Sequence, residues 1–268
     1  CPLHLKGKQA PDEDHVEECT FKILYIFAGP QREGDAEECA KQLGCELTAL
    51  DIVRCPDHNL LDDQVWSEVQ RDIDDKKYDA LLASPPCNTF SPLRGKGSGP
   101  RPLRAEGRYV TGLPDLKPEE KKQVREGTAC ALRALDAVRR MNDQNKPIIV
   151  ETSAKYEGVA NLFELPDYER YIKENRNILI SSIVQCGFGA ASVKPTRLLT
   201  NFRMKMPPSR CLHKKRWWRI PGTGKWKWAA HAPLIGKTRA VRASLWKRTH
   251  WNQKQGSKFI SAKAAWYT

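Results

Sequence analysis

The chain has 268 residues, a mean hydropathy of −0.61 and a formal net charge of +13 at neutral pH. This length allows a sizeable apolar core in one large domain, with or without an appendage. No apolar run approaches the ~20 residues that a membrane-spanning helix needs, and no secretory signal is visible. We therefore expect an intracellular protein, nuclear or cytoplasmic, without a membrane partner. Because the sequence begins at Cys1 rather than at Met, we also expect a piece of a longer polypeptide.

Cysteines are scattered along the chain without any Cys-x-x-Cys pair, and their total of nine is odd. This argues against a disulfide framework and against a four-cysteine zinc module, and it favours a reducing compartment. Cys211 and His213, with His231 further on, invite a metal-site interpretation, but their spacing matches no zinc pattern well. The sequence therefore predicts no metal site.

The polar, mixed-charge residues 1–20 predict a loose lead-in, and from residue 21 the pattern alternates between strands and helices. Strands are predicted over residues 21–27, 45–50, 78–83, 147–150, 178–184 and 196–199. Helices are predicted between the first two strands as far as about Leu43, over 62–73, and onward from Pro118. Strands that alternate with helices imply a mostly parallel sheet covered on both faces, so the predicted fold class is α/β. We expect this domain to span residues 21–201 and a basic segment to occupy 202–268.

The third predicted strand runs into residues 84–91, which read Ser-Pro-Pro-Cys-Asn-Thr-Phe-Ser. Two consecutive prolines donate no ladder hydrogen bonds, so they end the strand and stiffen the turn. Cys87 is thereby held on a rigid polar loop at the carboxyl edge of the sheet, where open α/β folds place their ligand sites. A buried structural cysteine is the alternative, but a packing cysteine needs no stiff polar platform, whereas a nucleophile does.

Three other strand ends carry candidate functional residues. Gly29 and Gly34 lie in the turn after the first strand, where small residues let a cofactor approach the backbone near a helix amino terminus. Asp51 ends the second strand, where an acid commonly accepts hydrogen bonds from a ribose; a helix cap or a solvated turn is an equal alternative. Glu151 ends the fourth strand, and a glutamate there is destabilising unless it is hydrogen-bonded or used.

Charge is distributed unevenly along the chain. Glu174 is the last acidic residue, and everything after it carries only Lys, Arg and His as charged groups. The same region holds Trp217, Trp218, Trp226, Trp228, Trp246, Trp251 and Trp266. A one-sign region with many aromatics indicates a polyanion binder, most simply of nucleic acid, although a solvated tail or a surface for acidic partners is also open. Of Trp217, Trp218, Trp226 and Trp228 we expect most to pack, because indoles are more often buried than used as base platforms.

Three stretches, taken in order, resemble the signature of cytosine-C5 DNA methyltransferases. They are Phe27-Ala28-Gly29 with Gly34, then Pro-Pro-Cys-Asn-Thr-Phe-Ser at 85–91, then Ile-Val-Glu-Thr at 149–152. A later stretch, from Cys-Gly-Phe-Gly at 186–189 through Lys-Pro-Thr-Arg-Leu-Leu-Thr-Asn at 194–201, is similar to a segment of the short, phage-type members. The resemblance covers roughly residues 22–201, and Pro-Pro-Cys is its specific part.

The resemblance implies a Rossmann-like sheet that binds S-adenosylmethionine and methylates C5 of cytosine in DNA, and we expect a monomer. Cys87 would add as a thiolate to C6, while Glu151 binds the base edge and aids protonation at N3. The target base would have to be flipped out of the duplex. The implied cofactor-binding residues are Phe27, Gly29, Gly34, Asp51 on the ribose, Asp72 near the adenine, and Pro85.

The same resemblance suggests where the nucleic acid would be bound. Residues 92–117 are rich in glycine, proline and arginine without apolar periodicity, which predicts a mobile functional loop and, in this family, a lid over the DNA. Target recognition would have to fit into about residues 202–236. The implied nucleic-acid contacts are Arg94 and Arg101 in the loop, Lys194 and Arg197 behind the cytosine, and Lys214, Lys215 and Arg216 in the basic segment.

Some positions depart from the family pattern. Thr152 and Ser153 follow Glu151 where the family has Asn and Val, and Asn88 stands where it has Gln. The family's last motif is not recognisable near the carboxyl end. Two alternatives stay open. One is an amino-methyltransferase acting on adenine N6 or cytosine N4, which also has a Ser-Pro-Pro loop but places an aromatic at the position of Cys87. The other is a catalytically degenerate Rossmann domain that binds nucleic acid within a mobile-element polyprotein.

Overall fold

A computed structural model describes residues 20–31, 35–95, 99–188, 193–204, 210–219 and 224–231. The predicted lead-in lies outside these residues except for Thr20, and so does most of the basic segment beyond His231. Among the described residues, none of the helices is both long and apolar enough to span a membrane.

One six-stranded sheet forms the centre of the domain. Its strands are β1 (Lys22–Ile26), β2 (Glu46–Leu50), β3 (Ala80–Ala83), β4 (Ile148–Ser153), β5 (Leu179–Val184) and β6 (Pro195–Thr200). They are ordered β2-β1-β3-β4-β6-β5, with β1 to β4 parallel and β6 antiparallel to both of its neighbours. This mostly parallel α/β sheet confirms the predicted fold class, and each strand predicted from the sequence is present within a few residues.

Four helices connect these strands: α1 (Ala36–Gln42), α2 (Asp63–Asp74), α3 (Pro118–Asp143) and α4 (Pro166–Glu174). Asp35 and Asp62 begin α1 and α2 because each side chain accepts hydrogen bonds from the first free backbone amides. Proline at the first position begins α3 and α4, where its missing N–H costs nothing. The first three helices were predicted, whereas α4 was not.

The core lies between the sheet and its helices. Leu24, Leu81 and Ile148 are fully buried on adjacent strands, and the inner face of α3 is buried along most of its length, including Leu135. Adjacent parallel strands covered by helices read as continuous apolar runs, which is why periodicity located them. Asn201 directly follows β6, the last strand of this sheet in the chain. Its side chain accepts a hydrogen bond from Ile148 N–H and donates one to the Lys146 carbonyl.

A second, two-stranded sheet follows in the basic segment. Strands β7 (Arg216–Arg219) and β8 (Trp226–Ala229) pair antiparallel, and we call this unit the ribbon. Of its side chains Trp218 is buried, with 8% exposed, and its indole N–H donates to the Ala229 carbonyl. The sequence reasoning predicted no strands here.

Candidate functional site

The carboxyl ends of β1, β3 and β4 meet at one edge of the sheet, because these strands are parallel and adjacent. Backbone hydrogen bonds join the loops that leave them. Ala28 N–H donates to the Leu50 carbonyl at 3.3 Å, and Ser84 N–H donates to the Ile26 carbonyl at 3.2 Å. These hydrogen bonds therefore connect three neighbouring segments at one edge of the sheet: the glycine turn, the end of β2 at Asp51 and the Pro-Pro-Cys loop.

Glu151 lies in the middle of this edge, and its side chain is mostly buried, with 17% exposed. One carboxylate oxygen accepts from the Ser84 hydroxyl at 3.4 Å. The other accepts from the Gln185 amide at 3.0 Å and from the Lys194 ammonium at 3.4 Å. The Ser84 hydroxyl also lies 3.0 Å from the Tyr25 hydroxyl, which extends the network to β1. These three donors offset the desolvation cost expected for a glutamate at the end of a buried strand.

Lys194 lies beside Glu151. It was expected to contact nucleic acid, but its ammonium pairs with Glu151, and only 12% of its side chain is exposed. It therefore belongs to the environment of Glu151. Gln185 directly follows β5. The sequence did not predict its contact with Glu151, because a glutamine after a strand carries no distinctive pattern.

Cys87 lies on the loop that Ser84 begins. Its side chain is half-buried and takes no part in a disulfide, and Pro85, two residues before it, is buried. Phe90 N–H donates to the Cys87 carbonyl at 2.9 Å, which closes a tight turn around Asn88 and Thr89. Cys87 therefore lies in a tight turn, and the rigidity that the double proline predicts for this turn stays a prediction. The hydrogen bond between Ser84 and Glu151 places the start of this loop against the glutamate.

Arg104 holds the Cys87 loop in place through Thr89 and Phe90. The sequence did not predict this role. Arg104 is buried, with 3% exposed, and its guanidinium lies 4.1 Å from the centre of the Phe90 ring. It donates to the Thr89 hydroxyl, to the carbonyls of Val110 and Val124, and to the Thr128 hydroxyl. Burial lowers the pKa of Arg104 to about 10, so the group stays charged at neutral pH.

Helix α3 approaches the same turn closely at Gly127. A Cβ on this residue would lie 2.9 Å from the Thr89 hydroxyl oxygen and 3.7 Å from Arg104. Glycine is destabilising in a helix interior by about 1 kcal/mol, so its presence here has a packing reason: no larger residue fits between α3 and Thr89.

The described part of the segment 92–117 is packed instead of standing away from the domain as a free lid. Leu103 and Leu116 form a small apolar cluster with Val124 of α3. Arg94 donates to the Asn88 and Arg101 carbonyls and to the Gln123 side chain. These contacts, together with Arg104, hold the described part of the segment against α3, and its mobility as a lid stays a prediction.

Both arginines predicted as lid contacts to DNA have partners within the described fold, and their contact to DNA stays a prediction. The guanidinium of Arg94 is taken up by the acceptors just named, and burial lowers its pKa. Arg101 pairs with Asp115 at 3.0 Å and with Glu120 at 3.3 Å. These contacts tie both arginines to the segment and to α3, while Arg101 stays exposed to solvent.

The turn after β1 holds the predicted cofactor residues Phe27 and Gly29, both with left-handed backbone (φ 56° and 70°). This conformation is strained for a phenylalanine, and strained residues cluster at functional sites. Asp51 reaches across from β2: its two oxygens accept from Gly29 N–H at 2.8 Å and from Val53 N–H at 2.9 Å. Asp51 therefore shapes the turn. Gly34 lies outside the described residues.

Arg54 was not singled out from the sequence, yet it ties this turn to α1. Its guanidinium donates to the Gly29 carbonyl at 2.6 Å, pairs with Glu37, and lies 3.4 Å from Asp35. An arginine in a polar turn has no distinctive pattern, so only the fold identifies this role.

Asp72 is separated from the other predicted cofactor residues. It lies in the last turn of α2, and its carboxylate accepts from the Lys77 ammonium at 2.7 Å and from the Tyr78 hydroxyl at 3.4 Å. These partners precede β3, at the amino edge of the sheet. Asp72 therefore lies at the opposite edge of the sheet from Gly29, because α2 runs back across the sheet. Its contact to the adenine stays a prediction.

The remaining predicted nucleic-acid contacts divide into two groups. Arg197 on β6 lies inside the fold, where it donates to the Asn161 side chain at 3.3 Å and stacks near the Phe163 ring. Lys214, Lys215 and Arg216 are exposed at the start of the ribbon. The three basic residues at the ribbon are thus placed where a polyanion can reach them.

The tryptophans of the ribbon are mostly exposed, contrary to expectation. Trp217 faces Trp228 across the strands with ring centres 5.3 Å apart, and Arg219 faces Trp226. Side chains alternate along a strand, so these four share one face. The three tryptophans on it are 51–62% exposed. Only Trp218, on the other face, packs as predicted.

A cluster of cysteines and histidines lies beside the ribbon. Cys186, Cys211, His213 and His231 bring their ligand atoms within 4.8 Å of one another. The sequence predicted no metal site, because residues so widely spaced match no zinc pattern. The fold brings them together from three separate segments.

Comparison with solved structures finds a similar protein. The chain matches the crystal structure of the S. pombe Dnmt2 methyltransferase with 14% sequence identity and a TM-score of 0.39. The match covers 69% of this chain and 51% of that chain, so the chain spans about half the length of the protein it matches. No family model and no curated protein matches. The sheet itself, with one antiparallel strand ahead of the edge strand, has the Rossmann-like form of S-adenosylmethionine-dependent methyltransferases.

Proposed function

We propose that this protein methylates cytosine at C5 in DNA, using S-adenosylmethionine and a covalent adduct to Cys87. The observation that carries the proposal is the hydrogen bond from Ser84 to Glu151. It joins the rigid Pro-Pro-Cys loop to a buried, hydrogen-bonded carboxylate at the ligand-binding edge of the sheet. A flipped cytosine has to meet a nucleophile and a hydrogen-bonding acid in one pocket.

Each of the two residues has a definite part in the chemistry. The Cys87 sulfur forms a bond to C6, and the electron pair of the C5–C6 double bond becomes available at C5. Glu151 binds the base edge and aids protonation at N3, which absorbs the negative charge that would otherwise build up on the ring. S-adenosylmethionine, when bound, would supply the methyl group for C5 and would leave as S-adenosylhomocysteine after its S–CH3 bond breaks. Loss of the C5 proton then expels Cys87 and restores both the thiolate and the aromatic ring.

The turn after β1 suits such a cofactor. Gly29 leaves the backbone open to a close approach, and each Asp51 oxygen accepts one backbone hydrogen bond with acceptor capacity left over for a ribose hydroxyl. Phe27 and Pro85 border this edge from β1 and β3. Arg54 keeps the turn in place by neutralising the acids at the start of α1.

The ribbon is the proposed contact to nucleic acid. Lys214, Lys215 and Arg216 would neutralise phosphates, and the exposed face with Trp226 and Arg219 would stack on bases. A two-stranded ribbon also has the dimensions that enter the major groove.

A covalent trap tests the proposal. DNA in which cytosine is replaced throughout by 5-fluorocytosine is incubated with protein and S-adenosylmethionine, and denaturing gels report covalent complexes. Fluorine cannot leave C5 as a proton does, so the adduct persists. We expect a cofactor-dependent complex with the wild type and with Cys39→Ser, whose thiol is exposed on α1, and none with Cys87→Ser.

The other outcomes identify the alternatives. Methyl transfer to an exocyclic amine without a trapped complex would indicate an amino-methyltransferase. If the protein binds nucleic acid but yields neither a trapped complex nor a methylated base, it is a catalytically degenerate domain. For Glu151→Gln we expect methyl transfer to fall by ~100-fold or more with cofactor binding retained, since a positioned acid contributes about that much; full activity in this variant would remove Glu151 from the mechanism.

A further inference from the structure

The cluster beside the ribbon is built from three segments that are distant in sequence. Cys186 lies shortly after β5 and is buried, Cys211 and His213 precede β7, and His231 follows β8. The Cys211 sulfur lies 3.4 Å from Nδ1 of His213 and 3.2 Å from Nε2 of His231. All four ligand atoms lie within 4.8 Å of one another.

We propose that these four side chains bind one structural Zn²⁺ ion. Two thiolates and two imidazoles are a set that zinc takes in closed tetrahedral sites. At ordinary Zn–S and Zn–N lengths, neighbouring ligand atoms lie about 3.6 Å apart for sulfur and nitrogen and about 3.8 Å apart for two sulfurs. The observed separations bracket these values, so small side-chain movements complete the tetrahedron.

The chemistry of the ligands favours zinc over other ions. No carboxylate belongs to the cluster, and calcium and magnesium require oxygen ligands. The charge also balances: Zn²⁺ with two thiolates and two neutral imidazoles has no net charge. It therefore adds no positive charge to a region that already lacks acidic residues after Glu174.

The ion would attach the ribbon to the sheet domain. An isolated hairpin of two short strands is marginally stable, and binding of zinc contributes its free energy directly to folding. Its ligands flank the ribbon at both ends, through His213 and His231, while Cys186 belongs to the sheet domain. Gln185, next to Cys186, donates to Glu151, so the site would also fix the ribbon relative to the proposed active site.

Metal content of the wild-type protein is the first test. Protein purified with a reductant and without chelator is analysed by mass spectrometry for metals. We expect about one zinc per chain, and demetallated protein should take up one Co²⁺ with the absorption of a tetrahedral thiolate site. Protein that holds no zinc and binds no Co²⁺ under these conditions overturns the proposal, as does a disulfide between Cys186 and Cys211 in the reduced preparation.

Variants assign the ligands. Cys211→Ser should lose most of the zinc, whereas Cys39→Ser, which removes an exposed thiol on α1, should retain it. In Cys186→Ser one thiolate remains, so the thiolate-to-cobalt band should fall by about half. Unchanged metal content in both ligand variants overturns the assignment. None of these measurements requires methyl transfer, so they stand or fall independently of the proposed activity.

Discussion

The sheet domain and the ribbon are stabilised in different ways. The sheet domain has a continuous apolar core in which Leu24, Leu81 and Leu135 are at most 1% exposed, and its polar anchor Arg104 is embedded next to that core. The ribbon buries one large side chain, Trp218, and shows three other tryptophans to solvent. Small units with little apolar burial commonly need a metal or a disulfide. A metal ion at the Cys–His cluster would supply the stabilisation that the ribbon lacks.

The largest effect is expected from Trp218→Ala. Loss of a buried tryptophan costs about 3–5 kcal/mol, which exceeds what an eight-residue ribbon can spare. We expect the ribbon to become sensitive to protease while the thermal midpoint of the sheet domain stays unchanged. Trp217→Ala, on the exposed face, is the matched control. Cooperative loss of the whole chain in Trp218→Ala would show that the two regions are one folding unit.

Arg104→Met tests the anchor of the sheet domain. Thr89 and the Val110 carbonyl lose a charged donor inside the protein, so we expect unfolding in denaturant to become easier by about 3 kcal/mol. The exposed Arg108→Met should change stability little. A loss below ~1 kcal/mol for Arg104→Met would mean that the apolar cluster alone holds the segment.

The exposed face of the ribbon is tested by Trp226→Ala. If the indole stacks on bases, affinity for single-stranded DNA should weaken by about 1–3 kcal/mol with the fold retained. Binding isotherms at two salt concentrations should both show the loss, and the affinity of each protein should fall as salt rises. Leu43→Ala, at a 79% exposed apolar residue of the sheet domain, is the control; an equal effect there would dismiss a specific role for the indole.

Gly127→Ala probes the close contact between α3 and the Cys87 loop. Alanine gains about 1 kcal/mol in helix propensity, but its Cβ would meet the Thr89 hydroxyl at 2.9 Å, and overpacking costs about 1–3 kcal/mol. We expect a net loss of about 1 kcal/mol together with reduced trapping on 5-fluorocytosine DNA. Thr89→Ala in the same chain removes the opposing oxygen and should restore trapping. If Gly127→Ala alone raises the free energy of unfolding, Thr89 and its loop move aside at little energetic cost, which contradicts this prediction.

The smallest effect concerns a surface pair at the amino edge of the sheet. The Lys146 ammonium and the Lys22 amide lower the pKa of Asp79 below its usual 3.8. The folded state therefore favours the carboxylate, and its stabilisation is present above pH ~4 and is lost as pH falls through the lowered pKa. Asp79→Asn should cost less than ~1 kcal/mol at neutral pH and flatten the acid limb of the stability curve. A larger loss would place surface charge among the main supports of the domain.

Periodicity and turn chemistry located most of the sheet domain. Buried parallel strands read as apolar runs, and prolines and aspartates mark where helices begin, so the strands, α1 to α3 and the edge carrying Cys87 and Glu151 followed from local pattern. Helix α4 was missed because its nine residues carry too few apolar positions for a clear period. The ribbon was missed because tryptophan alternating with basic residues resembles a binding tail.

The sequence by itself determined which residues end each strand and that acidic groups stop at Glu174. Only the tertiary structure decided their partners. Lys194 pairs with Glu151, Arg104 supports the loop of Cys87, and Asp72 lies at the amino edge of the sheet. The cysteines and histidines beside the ribbon converge in the same way. Local pattern depends on neighbours in sequence, whereas a buried charge or a ligand set depends on which distant segments the packed core brings within a few ångströms.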